Sequence, residues 1–518
     1  MIDNGKEVED NWAPQSYQIP EHWLYVELET AFENLPLTDK KLAQKNYDPA
    51  GKIPVIDQGA SEIGGYSNDQ KKLIKLDRPV IIFGDHTKCL KYITFEFIPG
   101  ADGVKVLLPN LGVDPKFAFY ACKSLRLPDR GYSRHYSFLK KCNFPLPPFN
   151  EQKRIVAKIE ELFSELDSGI TALKSAREQL KAYRYAVLKH AFEGKLTAKW
   201  REENVDKLES SEQLLTRILQ EREIRYKQQF DEWKAAIKEW EYNGKEKKKP
   251  NKPKKLVQFT LVTEASKQEF PQLPACWSYI RLGNLIDEPT YGTSVKCDYE
   301  TGDQSVLRIP NISAGKIDDS DLKFANFEKG EADHLRLMPG DILTIRSNGS
   351  ISLVGSCALI NEKDIKHIFA GYLIRLRANK KTIKSEYLLM LMGSHLMRKQ
   401  IEFAAKSTSG VNNINSGELQ NLILPLTSIE EQEEIVSLLD SILPQINSTK
   451  IEIDEQLAKA EILRQSILKK AFSGQLVAQD PNDEPASELL LRIKAEKEVA
   501  ITQKNKQKKK HIQQPNIR

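Results

Sequence analysis

The sequence has no apolar run approaching the ~18 residues that a bilayer-spanning helix needs, although 40% of its residues are hydrophobic. Its first ten residues, Met1 to Asp10, are acidic and carry no apolar core, so they do not read as a secretion signal. A chain with neither feature is expected in the cytoplasm. Six cysteines (Cys89, Cys122, Cys142, Cys276, Cys297 and Cys357) are scattered without a C-x-x-C pair. A structural zinc needs close-spaced ligands converging on one tetrahedral ion, so free reduced thiols and no metal are expected.

The familiar chemical motifs are missing too. No G-x-x-x-x-G-K-[ST] loop is present to cradle nucleotide phosphates, and no G-x-G-x-x-G turn, H-E-x-x-H or G-x-S-x-G. The Asn-Pro-Pro-aromatic and Asp-Pro-Pro-aromatic tetrapeptides expected of an amino-methyltransferase do not occur; the nearest string, "NFPLPP" from Asn143, lacks that form. One nuclease-like E-x-K triplet, Glu232-Trp233-Lys234, lies in a charged helical stretch where such triplets arise by chance. No residue stands out as catalytic.

Nor is there a decisive bulk charge. The 77 basic residues exceed the 72 acidic ones by five. Seven Lys against one Glu between Lys245 and Lys255, and five more Lys between Lys504 and Lys510, contribute +11. The remainder sums to about −6, so a nucleic-acid surface must come from local arrangement.

What the chain does have is a repeat. A shift of 280 residues places Pro145-Leu146 on Pro425-Leu426 and runs 56 residues without a gap, with fifteen identities. Chance would give about 3 or 4 at average residue usage. "LKHAFEGKLTA" from Leu188 answers "LKKAFSGQLVA" from Leu468.

Both copies read as helix. Ile155, Ile159, Leu162, Leu166, Ile170, Leu173, Ala176, Leu180, Tyr183 and Val187 recur at steps of three and four. Ile435, Leu439, Ile442, Ile446, Ile453, Leu457, Ala460, Leu463 and Ile467 answer them, with Lys450 and Gln456 interrupting the stripe. A narrow apolar stripe with charged flanks suits the seam of an antiparallel coiled coil. Helices of about 40 residues would extend about 60 Å. Pro444 and Gly169 mark expected bends, and Gly194 and Gly474 expected C-terminal caps.

The segments ahead of the helices share an opening, "PEHWLYVEL" from Pro20 and "PACWSYIRL" from Pro274, and then diverge. Both continue in short β-like runs punctuated by Gly, Pro and Asn, such as "PVIIFGD" from Pro79 and "DILTIRSNGS" from Asp341. The expected class is therefore α+β, with two mixed α/β domains separated by two long helices in a pseudo-two-fold repeat. The expected boundaries are 1–145 for the first domain, 146–200 for the central helical region and 201–270 for a charged linker. They continue with 271–424 for the second domain, 425–478 for the distal helical region and 479–518 for a Lys-rich tail. The linker reads as a solvated helix followed by flexible chain, and the tail as solvated, because both hold few apolar residues.

This duplicated order resembles the specificity subunits of type I restriction–modification systems over nearly the whole chain. The pieces that carry the likeness are the two P-x-x-W-x-Y openings, "PLPPFNEQKRIV" and "PLTSIEEQEEIV" at the helix starts, "HAFEGKL" and "KAFSGQL" at their ends, and "NINSGELQNLILPL" from Asn413. The resemblance implies two target recognition domains reading a bipartite, asymmetric stretch of double-stranded DNA, with the helix pair setting the unread gap. It also implies assembly with two methyltransferase subunits and then two motor-nuclease subunits. The methyl donor, ATP and Mg²⁺ would belong to those partners, leaving this chain a non-catalytic subunit without a cofactor. Two competing readings are the recognition half of a combined restriction–methylation enzyme, or a methyltransferase itself, against which the missing motifs argue, and a coiled-coil adaptor with no sequence-specific DNA binding.

Bases are read by Arg, Lys, Asn, Gln, Ser and Thr on loops. In the first domain the candidates are Gln58, Ser61, Lys88, Arg130, Tyr132, Ser133, Arg134 and His135. In the second they are Arg308, Asn311, Arg346, Ser347, Asn348, Ser350, Asn412, Asn413 and Asn415. Each of these types also serves as a turn residue satisfying its own backbone.

Overall fold

The computed structural model describes residues 17–101, 103–129, 131, 133–245, 249–253, 257, 259–313, 315–406 and 410–512. The chain divides into two compact units, Met1–Ser175 with Ile453–Arg518, and Ala176–Glu452. The central helix, Phe149–Phe192, and the distal helix, Ile429–Phe472, each supply residues to both. Pro444 and Gly169 lie inside uninterrupted helical spans.

In the first unit a four-stranded antiparallel sheet runs Phe32–Asn34, Val104–Pro109, Val80–Gly84, Leu90–Ile93. A three-stranded sheet holds Ile53–Ile56 at its centre, antiparallel to Gly65–Ser67 and parallel to Ile98–Pro99. Strand Val80–Gly84 is buried along its whole length, which is why it reads as a continuous apolar run rather than an alternating one.

The second unit repeats this plan with unrelated residues. Its four-stranded sheet runs Thr290–Tyr291, Leu373–Arg377, Asp341–Ile345, Cys357–Leu359, again antiparallel throughout. Its three-stranded sheet centres on Gln304–Leu307, antiparallel to Lys323–Ala325 and parallel to Ile368–Phe369. Strand order and direction are the same in both units, so the duplication reaches through the domains whose sequences diverge.

The shared opening segments have a common task. Leu24–Glu27 pairs antiparallel with Asn143–Leu146, and Ser278–Arg281 with Ile423–Leu426, placing Tyr25 opposite Pro145 and Tyr279 opposite Pro425. The repeated Trp then holds the repeated Glu at the helix start. Trp23 Nε1 donates to Glu151 at 2.9 Å, and Trp277 Nε1 to Glu431 at 2.8 Å. The neighbouring Gln is buried in both copies and clamps a loop of its own domain: Gln152 accepts from Asp114 N at 2.7 Å, Gln432 from Lys384 N at 2.9 Å. A buried polar group is tolerated when it is fully bonded, so this pair of residues is tied to the fold and not to the surface.

Within each unit the two long helices pack antiparallel. In the first, Ile155, Ile159 and Phe163 share a core with Ile467, Leu468, Ala471 and Phe472. In the second, Val187, Leu188, Ala191 and Phe192 share one with Ile435 and Leu439. Ile446 and Ile453 are buried, while Leu162, Leu166, Leu173, Leu180, Ile442 and Leu457 are half-buried. Fully burying one such side chain stabilises by about 1.5–3 kcal/mol. Two members of the expected stripe lie outside: Tyr183 is 54% exposed and Leu463 is 50% exposed, whereas Phe163, one step over from Leu162, is buried. A two-helix seam covers only the residues facing the partner, and sequence spacing alone does not fix the rotation of the helix about its axis.

Both helices end at a glycine with φ +72, Gly194 and Gly474. Lys195 N bonds His190 O at 2.8 Å and Gln475 N bonds Lys470 O at 2.9 Å, closing a left-handed cap at each end. Each glycine abuts the opening proline of its own unit, Gly194 against Pro274 and Gly474 against Pro20, with no room for a Cβ.

The linker and tail depart from expectation. Helix Ser211–Tyr242, capped by Ser210 and Gln213, buries Leu214 and Ile218 in the second unit's core. Arg225 makes a bidentate pair with Asp287 at 2.6 Å, and Arg222 reaches Asn284 at 3.0 Å. The chain after it folds back: Trp233 Nε1 donates to Pro250 O at 3.1 Å. In the first unit the C-terminal helix, Ala486–Ile512, buries Ala486, Leu489 and Ile493, and Asp483 pairs with Arg154 at 2.7 Å. Two or three apolar residues at helical spacing are enough to anchor a helix, and an average over its composition hides them.

Candidate nucleic-acid interface

In the first unit three loops converge at the end of strand Val80–Gly84. The turn that follows the strand is closed by Lys88 N to Gly84 O and Gly84 N to Cys89 O, both 2.8 Å, with Lys88 itself left-handed at φ +56. A left-handed non-glycine residue is uncommon, and here the two turn bonds hold Lys88 in that conformation. Gln58 ties the second loop to this turn: its side chain accepts from His86 N at 3.1 Å and its carbonyl from Thr87 Oγ1 at 2.7 Å. Asp85 ties in the third, accepting from Tyr136 N at 2.7 Å and from His135 N at 2.8 Å. Lys88 Nζ lies 3.1 Å from Asp129, and this pairing holds the Asp129 carboxyl below the usual carboxylate range.

Beneath these loops Asp57 fixes the second one. It accepts from Gly59 N at 2.9 Å and from the Tyr47 hydroxyl at 3.3 Å, with buried Lys91 at 3.5 Å. Burial, reinforced by Asp57, pushes the Tyr47 phenol up to about 12.

The structure thus assembles Gln58, Lys88 and His135 around one turn, with Ser133 two residues before His135 on the third loop. Ser61 and Arg134 are exposed on the same loops. His135 is fully buried, with Nδ1 3.1 Å from Asp85 O, so it serves to hold the loop and presents nothing to a base. Arg130 and Tyr132 lie outside the described residues.

The second unit builds its counterpart at the end of Asp341–Ile345. Ser347 and Asn348 pair as a short antiparallel bridge with Asn413 and Asn412. Arg346 Nε donates to Asn413 Oδ1 at 3.2 Å, and its guanidinium stacks 4.7 Å from the centre of the Tyr291 ring. Asn348 Oδ1 turns the loop by accepting from Ser350 N at 2.8 Å, and Asn412 Nδ2 donates to Gly349 O at 3.0 Å. Ser416 N donates to the Tyr291 hydroxyl at 2.9 Å, and Asn415 caps the helix Ser416–Asn421 that begins there. Arg346, Ser347, Asn348, Ser350, Asn412 and Asn413 therefore form one polar, partly exposed surface flanked by an aromatic ring.

Arg308 and Asn311 have other partners. Asn311 is buried, accepts from Arg308 N at 2.7 Å and donates to Asp318 O and Asp321 O at 2.8 Å. Arg308 pairs with Asp321 at 3.1 Å over the Tyr299 ring. Asn311 is a structural turn residue in this fold, the outcome its residue type always allows. Tyr291 is the residue that sequence reading missed; its signal was an aromatic beside a glycine in "EPTYGTS", which is common in loops.

Comparison with known proteins comes to the same ground. The family model described as "Type I restriction modification DNA specificity domain" matches residues 20–175 and 274–459. Each stretch opens on the proline of a repeated Pro-x-x-Trp segment. The chain is 26% identical over 378 residues to the type I restriction enzyme EcoKI specificity subunit of Escherichia coli strain K12, a match covering 71% of this chain and 66% of that protein. It thus leaves about a third of the EcoKI subunit unmatched. Similarity to the EcoDI specificity subunit of Escherichia coli is lower, 22% over 514 residues, but spans 95% of this chain and 99% of that one. A solved chain described under "Structural basis underlying complex assembly and conformational transition of the type I R-M system" shares the fold over 89% of this chain and all of its own length, with a TM-score of 0.58 at 19% identity.

Proposed function

Since the chain belongs to the type I restriction modification DNA specificity domain family, we propose that it reads a split DNA target, one half with each unit, and is itself non-catalytic. The observation that carries this reading is the pairing of identical topology with divergent loops. Two copies of one scaffold present different polar surfaces at the end of the same strand, around Lys88 in one and Arg346 in the other. Two identical readers suit a palindrome; two different readers in a repeated frame suit an asymmetric target.

The long helices space the readers and offer equivalent docking surfaces, so two methyltransferase subunits, each bound once per repeat, complete a modifying enzyme. Two motor-nuclease subunits complete the restricting one. The working division of the chain is a recognition domain at 1–145 and another at 271–424, with helical regions at 146–200 and 425–478.

The test is a methylation map. The chain is co-expressed with its methyltransferase subunit in a methylation-free host and the genome is sequenced for modified adenines. A split motif with a fixed gap is expected, and exchanging residues 1–145 for those of another specificity subunit should change one half only. Modification independent of this chain, or a continuous motif, overturns the reading.

A further inference from the structure

The reading turn of the first unit leaves strand Val80–Gly84, which lies in its sheet between Val104–Pro109 on one side and Leu90–Ile93 on the other. A lysine stands on each of those sides. Lys105 is opposite Phe83 in the register, and its Nζ lies 5.2 Å from the centre of the Tyr136 ring. Tyr136 is tied to the turn, since its N is bonded to Asp85 at 2.7 Å. On the far side Lys123 sits in the last turn of helix Pro115–Ser124, with Nζ 5.0 Å from the Phe119 ring. Phe119 packs 5.7 Å from Tyr92 of strand Leu90–Ile93, and Cys89, at the foot of the turn, is within electrostatic range of Lys123. Phe83, Phe119 and Tyr136 belong to one core, so both lysines rest on rings of the same cluster.

Neither lysine has a hydrogen bond or an ion pair among the described residues. Their neighbours do: Lys88 is paired with Asp129, Lys140 with Glu29 and Lys116 with Glu160. Asp167, whose charge reaches Lys123, is taken by Arg464. A cation–π contact holds a lysine in place without neutralising it, so the charge stays available to an anion.

The scaffold does not need these two charges. The bond from Asp85 N to Gly103 O, 2.6 Å, answers that from Arg346 N to Tyr372 O, 2.9 Å, so Lys105 answers Ile374, which is buried. The helix starts at Asp114 and Lys384 are clamped alike by Gln152 and Gln432, so Lys123, nine residues on, answers Gly393. The second unit thus builds the same sheet with no cation at either place. A charge that the fold does without is free to serve a ligand.

We infer that Lys105 and Lys123 form a phosphate clamp. They hold the two DNA strands that border the groove entered by the first reading turn, one lysine to each strand. The inference rests on the DNA-reading function proposed above. The strands on either side of Val80–Gly84 stand about 10 Å apart, two strand spacings, and Lys123 lies beyond the outer one on the helix packed against it. A major groove is about 12 Å wide. A turn that reads bases there has a row of phosphates on each flank, and a cation on each flank meets both. Lysine suits this task because its compact ammonium binds phosphate as a point charge. The clamp reads no base. Its contribution is affinity and orientation, because phosphate contacts position a protein on DNA while base contacts specify the site.

The experiment uses the full chain assembled with its methyltransferase subunits and a duplex carrying the mapped motif. Binding of Lys105→Gln, Lys123→Gln and the double variant is measured against salt concentration, with Lys105→Arg and Lys123→Arg alongside. Each glutamine variant should lower the steepness of log K against log [salt] by about 0.9, and the double variant by about 1.8. The arginine variants should keep the slope, and the methylated motif should keep its sequence throughout. A second series leaves the protein unaltered and neutralises single phosphates beside the first half as methylphosphonates. One position on each strand should weaken binding, and the loss on one strand should vanish in Lys105→Gln, that on the other in Lys123→Gln. Should a glutamine variant fail to assemble, the absence of a sensitive phosphate on either strand of the unaltered assembly still overturns the clamp. Unchanged slopes, phosphonate losses that persist in the variants, or a degenerate first half overturn it and leave the reading function standing. Absence of any split motif in the unaltered assembly overturns both.

Discussion

Arg184 Nη1 donates to Asn447 Oδ1 at 3.3 Å, joining the two long helices in the second unit. The repeat carries the same contact into the first unit, where Arg464, the counterpart of Arg184, reaches Asp167, the counterpart of Asn447. One duplicated arginine thus marks the antiparallel register twice, each time from a different helix.

The two arginines should differ in worth. Arg464 faces a carboxylate and lies 4.8 Å from the Phe163 ring, whereas Arg184 faces a neutral amide at the surface. Arg464→Ala is expected to cost about 1 kcal/mol, combining a half-exposed ion pair with a cation–π contact. Arg184→Ala should stay within about 0.5 kcal/mol. Urea unfolding of the two variants checks the order, and an equal loss would place the register elsewhere along the seam.

The repeated glutamates should differ more. Glu431 is buried and accepts from Trp277, Thr427, Thr197 and Arg201. Glu151 is equally buried but accepts from Trp23 and lies 3.1 Å from His22, and its Oε1 has no hydrogen-bond donor among the described residues. Removing one partner of a buried, bonded charge costs about 3–5 kcal/mol, because Arg201 would be left without its counter-ion. Glu431→Ala should therefore cause severe loss of soluble protein, and Glu151→Gln a smaller loss than Glu431→Gln. Denaturation midpoints of the glutamine pair decide it.

Arg346→Ala should relax the second half of the target alone. Its guanidinium is held by Asn413 and Tyr291, so the side chain is already positioned before DNA binds. A bidentate base contact contributes about 1–3 kcal/mol of discrimination, or roughly fivefold to 150-fold. The methylation map of this variant should show a degenerate position in one half and an intact other half. Degeneracy in both halves would mean that the change is structural.

Histidine 367 gives the second unit a pH dependence. It is buried, with Nδ1 2.6 Å from Ser305 Oγ, and burial lowers its pKa below the ordinary histidine value, with Lys366 adding to the effect. The unfolded chain then binds more protons than the folded one as the pH falls through that ordinary value. Stability is full above about 6.5 and is lost toward the lower folded pKa. Melting curves between pH 5 and 7.5 should show a decline on the acid side that is shallower in His367→Gln. An unchanged acid slope in that variant would assign the decline to other groups.

Much of the frame was legible because it is written twice. The repeat at a shift of 280 residues, the Trp and Glu that meet in each copy and the glycines that close both helices are local or duplicated signals, and duplication turns weak local signals into a pattern. The docked linker and tail were not legible, because Leu214 and Ile218, or Leu489 and Ile493, are two apolar residues in a long charged stretch. Their weight comes from what they touch. Reader loops fall between these cases. Arg346 and Asn413 stand 67 residues apart, and their likeness as polar loop residues said nothing of their contact.

The sequence by itself determined the architecture: two scaffolds and two long helices, since periodicity and repetition are properties of the chain. Tertiary structure decided which polar residues are surface and which are scaffold. Arg308, Asn311 and Arg346 look alike in the chain, yet Asn311 is bonded inside and Arg346 is braced at the edge. The reason is physical. A hydrogen-bonding side chain is satisfied equally well by a backbone carbonyl, a neighbouring residue or a ligand, and only the packing around it determines which of these it meets.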